Sequence, residues 1–96
     1  GVDDRAPIIT DFHLNEPYPN PFNPTVNIEF SIIENSVIYL LVYDIKGTEL
    51  ETIYNGIQYP GIYKYSWNAE NYPSGTYFVK LKTESYEETK KIVLLK

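Results

Sequence analysis

The chain's plainest structural signal is Val26-Asn27-Ile28-Glu29-Phe30-Ser31-Ile32-Ile33. Val26, Ile28, Phe30 and Ile32 alternate with Asn27, Glu29 and Ser31. Successive side chains on a strand point to opposite faces, so the spacing predicts a half-buried strand. Downstream, Val37–Tyr43 is apolar on both faces and is expected to be a central, well-covered strand. Asp44-Ile45-Lys46-Gly47 then reads as a tight turn, with Gly47 at the left-handed position. Glu49–Tyr54 is the third strand. Ile62–Trp67 sets Tyr63, Tyr65 and Trp67 against Lys64 and Ser66. Thr76–Thr83 sets Tyr77, Val79 and Leu81 against Phe78, Lys80 and Lys82, and Thr89–Leu95 closes the chain. No window of a dozen residues carries the i, i+3, i+4 apolar spacing of a helix. Short strands joined by turns predict an all-β sandwich. Its expected core is Ile28, Phe30, Ile32, Ile38, Leu40, Val42, Leu50, Tyr65, Trp67, Tyr77, Val79 and Leu81.

Upstream of Val26 the pattern changes. Residues 15–25 hold four of the seven prolines, which forbids a central strand or a helix interior there. This is an extended lead-in. Residues 1–13 read as a linker or the tail of a preceding domain, with Ile8-Ile9 as a candidate edge strand, and 14–96 as the domain.

The chain has 96 residues and carries 13 Asp+Glu against 8 Lys+Arg, a net charge of −5. That length fits one small domain. The charge argues against nucleic acid as a partner, which needs a basic stripe. With no Cys there is no disulfide scaffold, thiolate metal site or Cys nucleophile. The longest apolar run falls short of the ~20 residues that span a bilayer, so no membrane insertion is expected. No signal peptide is visible at Gly1-Val2-Asp3-Asp4, and the lack of Met leads us to expect a piece of a longer polypeptide.

Few residues suggest chemistry. His13 has no second His at metal-ligand spacing, and no Gly-x-Ser-x-Gly elbow exists. Glu84, Glu87 and Glu88, and separately Asp3-Asp4, form acidic clusters without the Asp-x-Asp-x-Asp-Gly spacing of a calcium loop. They are read as solvated. Tyrosine and tryptophan faces stack on sugars, but the period-2 spacing of Tyr63, Tyr65 and Trp67 is that of an inward strand face. Tyr18, Tyr59 and Tyr72 fall in loops and are the better surface candidates. Tyr77, just after Ser74-Gly75-Thr76, has the position of a tyrosine corner, whose hydroxyl bonds to upstream backbone. Asn71–Ser74 is the expected partner. No nucleophile–base pair, metal cage or phosphate loop is evident, so neither an enzyme nor a cofactor is expected.

The ordered motifs carry a resemblance. Leu14 followed by Tyr18-Pro19-Asn20-Pro21-Phe22-Asn23-Pro24-Thr25 resembles the opening of the type A C-terminal sorting domains of the Bacteroidetes type IX (Por) secretion system. Ile28-Glu29-Phe30 resembles the family's first strand, and Val42-Tyr43-Asp44-Ile45-Lys46-Gly47 its second strand and turn. Gly61 through Trp67-Asn68 resembles its Gly-to-Trp strand, with Asn68 where the family often has Asp. Ser74-Gly75-Thr76-Tyr77-Phe78 resembles its corner, and Thr89-Lys90-Lys91-Ile92-Val93-Leu94-Leu95-Lys96 its basic-then-apolar last strand. Ig-like domains of the flagellar hook-capping type share the strand and turn patterns. The Pro-Asn-Pro-Phe opening and the terminal Lys-Lys-apolar strand favour the sorting domain.

The resemblance implies an Ig-like or fibronectin-III-like sandwich of about seven antiparallel strands. It implies a signal that directs a covalently linked upstream cargo from the periplasm through the outer-membrane type IX translocon. A shuttle protein and a sortase are the further implied partners, and the cargo ends at the outer-membrane surface or is secreted. An Ig-like accessory or carbohydrate-binding module of an extracellular enzyme is the alternative reading.

The expected recognition element is Lys90, Lys91, Ile92, Val93, Leu94, Leu95 and Lys96. Ile92 and Leu94 are assigned to the core, which leaves Val93 and Leu95 in need of cover. A strand at the end of a chain tends to lie at a sheet edge. Its unpaired backbone groups are then open to strand addition, and its lysines serve as guards.

Overall fold

The computed structural model describes residues 11–96. The Ile8-Ile9 edge strand lies outside the described residues. Among the described residues, seven antiparallel strands run in chain order: β1 (His13–Leu14), β2 (Thr25–Ile32), β3 (Ser36–Asp44), β4 (Glu49–Gln58), β5 (Gly61–Asn68), β6 (Gly75–Lys82) and β7 (Glu87–Leu94). They form two sheets, ordered β1-β2-β5 and β4-β3-β6-β7. The expected all-β sandwich is the observed fold, consistent with an Ig-like arrangement.

Alternation explains the packing. Val26, Ile28, Phe30 and Ile32 are all fully buried on β2, and Ile38, Leu40 and Val42 face them from β3. Val79 and Leu81 of β6 and Ile92 and Leu94 of β7 complete the inner layer. Trp67 is 2% exposed, as expected of a core indole. Leu50 and Tyr65 pack against this core but are only partly buried. Leu14, Phe22, Val26 and Ala69 join the core beyond the residues expected there.

β3 is central in its sheet, between β4 and β6, but it is not well covered on both sides. Val37 is 43% and Tyr39 39% exposed, because among the described residues no third layer lies over the outer face of this two-sheet sandwich. Only Leu41, on the same face, is buried. β4 also runs four residues past the expected end at Tyr54, since Val37 pairs with Ile57 and Ser36 with Gln58. The turn after β3 is the one foreseen. Asp44 Oδ1 accepts from the amides of Lys46 and Thr48, both at 2.9 Å, and Gly47 adopts a φ of +85°. That conformation favours glycine because a Cβ clashes there.

Candidate functional site

β7 is an edge strand, as expected, with Ile92 and Leu94 turned into the sandwich. Its edge is not open, however. The proline-rich lead-in passes alongside it as a strap. Asn20 Nδ2 donates to the Lys91 carbonyl at 3.0 Å, and the Val93 amide donates to Asn20 Oδ1 at 2.9 Å. Two residues on, the Phe22 amide donates to the Val93 carbonyl at 2.9 Å, and the Leu95 amide to the Phe22 carbonyl at 3.0 Å. Every edge-facing group from the Lys91 carbonyl to the Leu95 amide is therefore engaged.

The strap's sequence explains this. Pro19 and Pro21 have no amide to offer a ladder, so the Asn20 side chain supplies one donor and one acceptor in their place. The buried Phe22 ring, 5.9 Å from the Trp67 ring, fixes the strap to the core. The expectation of an edge free for strand addition is corrected over this half of β7. The covering segment lies some 70 residues upstream, and local sequence gives no sign of it.

The lysines divide into distinct roles. Lys90 is not a free guard: its Nζ lies 2.9 Å from Glu16 Oε1 and 3.2 Å from Glu88 Oε2. The Glu16 hydrogen bond, with that of Glu88, holds its pKa above the ordinary lysine value. Neutralising Lys90 therefore breaks a built contact, contrary to its reading as an edge guard. Lys91 is exposed. Lys96 Nζ donates to the Glu70 carbonyl at 2.5 Å, and its amide to Ser74 Oγ at 2.9 Å. Val93 is half-buried and Leu95 is 56% exposed.

Glu88, read from sequence as solvated, is a junction. Its Oε1 accepts from the Leu14 amide at 2.9 Å and from the Tyr86 hydroxyl. Burial pushes its carboxyl up, but the bonds from Tyr86, Leu14 and Lys90 outweigh it, and the pKa lies below the ordinary value. The contact ties β1 of one sheet to β7 of the other. Only tertiary structure reveals it, because Leu14 and Glu88 are 74 residues apart. His13 Nδ1 lies 3.9 Å from the same Glu88 oxygen. Among the described residues, no three of His, Cys, Asp or Glu are placed to hold a metal ion.

The remaining motif residues sit around Trp67. The Tyr77 hydroxyl donates to the Pro73 carbonyl at 2.6 Å, inside the stretch expected for a tyrosine corner. Burial, and secondarily the charge of Asp44, raise its pKa. Tyr72 is not a surface platform: its ring lies 5.4 Å from Trp67 and its hydroxyl donates to Glu51. Tyr18 and Tyr59 are exposed, but Tyr18 bridges to Asn27 near the start of β2, whereas Tyr59 lies beside the far end, where Gly61 pairs with Ile32. The three loop tyrosines do not converge on one sugar face.

These features coincide with a family profile, that of the secretion system C-terminal sorting domain, which matches residues 16–95. The chain belongs to this family. No curated protein and no solved structure matches it. The matched span of the sorting domain starts at Glu16, the strap-side partner of Lys90, and ends at Leu95. Membership in this type IX secretion family, found in Bacteroidetes, implies export to the outer-membrane surface or secretion. It also implies contact with the type IX machinery and attachment to an upstream cargo. The sorting domain's family is one of transport signals, not a known catalytic family.

Proposed function

We propose that this domain is the folded transport signal of the protein to which it is joined. It crosses the periplasm with its cargo, is presented by a shuttle protein to the outer-membrane translocon, and is removed by a sortase at the surface. It performs no turnover of its own. The recognition element is the tail from Lys90 to Lys96, together with the sheet face beside it. Family membership over residues 16–95 carries this reading. The exposure of Lys91 and Leu95 at the end of β7 supports it further. The separation of Tyr18, Tyr59 and Tyr72 gives a glycan-binding module no support.

The test is export of a periplasmic reporter fused upstream of the chain, in a bacterium with a type IX system. The full chain is expected to bring the reporter to the cell surface. Leu95→Asp is expected to lower export while leaving thermal stability nearly unchanged, because Leu95 is largely exposed. A reporter carrying residues 14–89 alone that reaches the surface at full yield would defeat the assignment of the tail.

A further inference from the structure

The strap has a consequence for how a partner reads β7. Between the Lys91 carbonyl and the Leu95 amide no ladder group is free, so side chains are what remain to be recognised there. Those side chains lie on the outer face of the four-stranded sheet. The register places Tyr43, Phe78 and Lys91 in one row across β3, β6 and β7, and Leu41, Lys80 and Thr89 in the next. Tyr39, Lys82 and Glu87 form a third. The intervening residues, Val42, Val79 and Ile92 among them, face the core.

This face combines apolar and cationic groups. Tyr43, Phe78 and Val93 are half-buried, and a shallow groove of about 320 Å³ runs beside Tyr43, Ile45, Phe78 and Lys80. Lys80 Nζ lies 4.8 Å from the centre of the Tyr43 ring, close enough for a cation–π contact, and 3.8 Å from Glu87. On β6 and β7 the outward charges are Lys80, Lys82 and Lys91 against Glu87, while exposed Glu49 of β4 pairs with Tyr43 at the side of the face away from Lys91, in a chain whose net charge is −5. Lys91 is not needed to guard an edge that the strap already covers.

Resting on the transport reading above, we propose that the export machinery docks on this outer face through a protein surface whose carboxylates surround an apolar centre. The apolar centre meets Tyr43, Phe78 and Val93, and the carboxylates meet Lys80, Lys82 and Lys91. An acidic partner is repelled by most of a −5 chain, so the lysine-framed face is the approach left to it. Complementary charge of this kind sets encounter rate and partner choice more than raw affinity.

The experiment uses the upstream reporter fusion with the double variant Lys80→Glu/Lys91→Glu. Lys64→Glu, on β5 of the other sheet, is the control. The expected result is export of the unaltered fusion and of the control, with the double variant lower by about tenfold or more. If the double variant is unstable, Lys91→Glu alone, at an exposed position, decides by a drop of at least about threefold. Asn20→Ala, which frees only the Lys91 carbonyl and the Val93 amide and leaves the face intact, is expected to export as well as the unaltered chain. Failure of the unaltered fusion to be exported would sink the transport reading itself. Its export together with undiminished export of the folded charge-reversed variants would overturn only the docking face. Binding of the 96-residue chain to phosphatidylglycerol vesicles, lost in the double variant in step with export, would replace the acidic protein by an anionic lipid surface and overturn the proposal as stated.

Discussion

Phe22→Ala is the perturbation that most directly tests how the strap is held. Phe22 is 2% exposed, its ring lies 5.9 Å from Trp67, and its backbone makes two hydrogen bonds with β7. Truncating a buried Phe to Ala typically costs ~3–5 kcal/mol, from lost transfer energy and the cavity left behind. Against the ~5–15 kcal/mol that stabilises an ordinary domain, this is a large fraction. With a urea m-value of ~1–3 kcal/mol/M, the unfolding midpoint should fall by at least about 1 M. The single Trp67 stands beside the deletion and supplies the fluorescence signal. Loss of the anchor should also loosen the strap locally. Amide hydrogen exchange at Val93 and Leu95 should accelerate more than at Leu40 in the centre of the sheet. A cost under about 1 kcal/mol, below the range for any buried Phe, would refute the placement of the ring. Unchanged relative protection of Val93 and Leu95 would refute the strap as the cover of the edge.

Other expectations follow from single contacts. Tyr77→Phe should lower stability by ~0.5–1.5 kcal/mol in denaturant titration, through loss of the bond to the Pro73 carbonyl, while the ring packing is kept. Gly47→Ala should destabilise by about 1 kcal/mol or more, since its φ of +85° strains any residue with a Cβ, and thermal melting would register it. Glu88 has a folded pKa below the ordinary value of 4.5, so the unfolded chain binds its proton first. Its stabilising contribution is full above that value and is lost as pH falls through the lower folded one. Urea midpoints measured between about pH 6 and about pH 3 should therefore drop less steeply in Glu88→Gln than in the unaltered chain. Equal slopes would show that the carboxylate junction contributes nothing.

Most of the strands, and the inward faces of β2 and β6, were legible in the amino-acid order. Alternation at Val26–Ile32 and Tyr77–Leu81 is local, because a strand's side-chain period follows from backbone geometry alone. The Asp44–Gly47 turn and the Tyr77 corner were legible for the same reason: each partner lies within a few residues. The motif order also carried the family. Features that depend on distant partners emerge only from the packing, and this tertiary structure holds several. It laid the Asn20–Phe22 strap on β7, closed an edge that looked open, and drew Lys90 into contact with Glu16 and Glu88. It turned Glu88 from a solvated acid into a tie between sheets, and left Val37 and Tyr39 uncovered on the outer face. Whether a charge is free or an edge is covered depends on which segments the fold brings alongside it. Residues some 70 positions apart leave no periodicity in the chain that records their meeting.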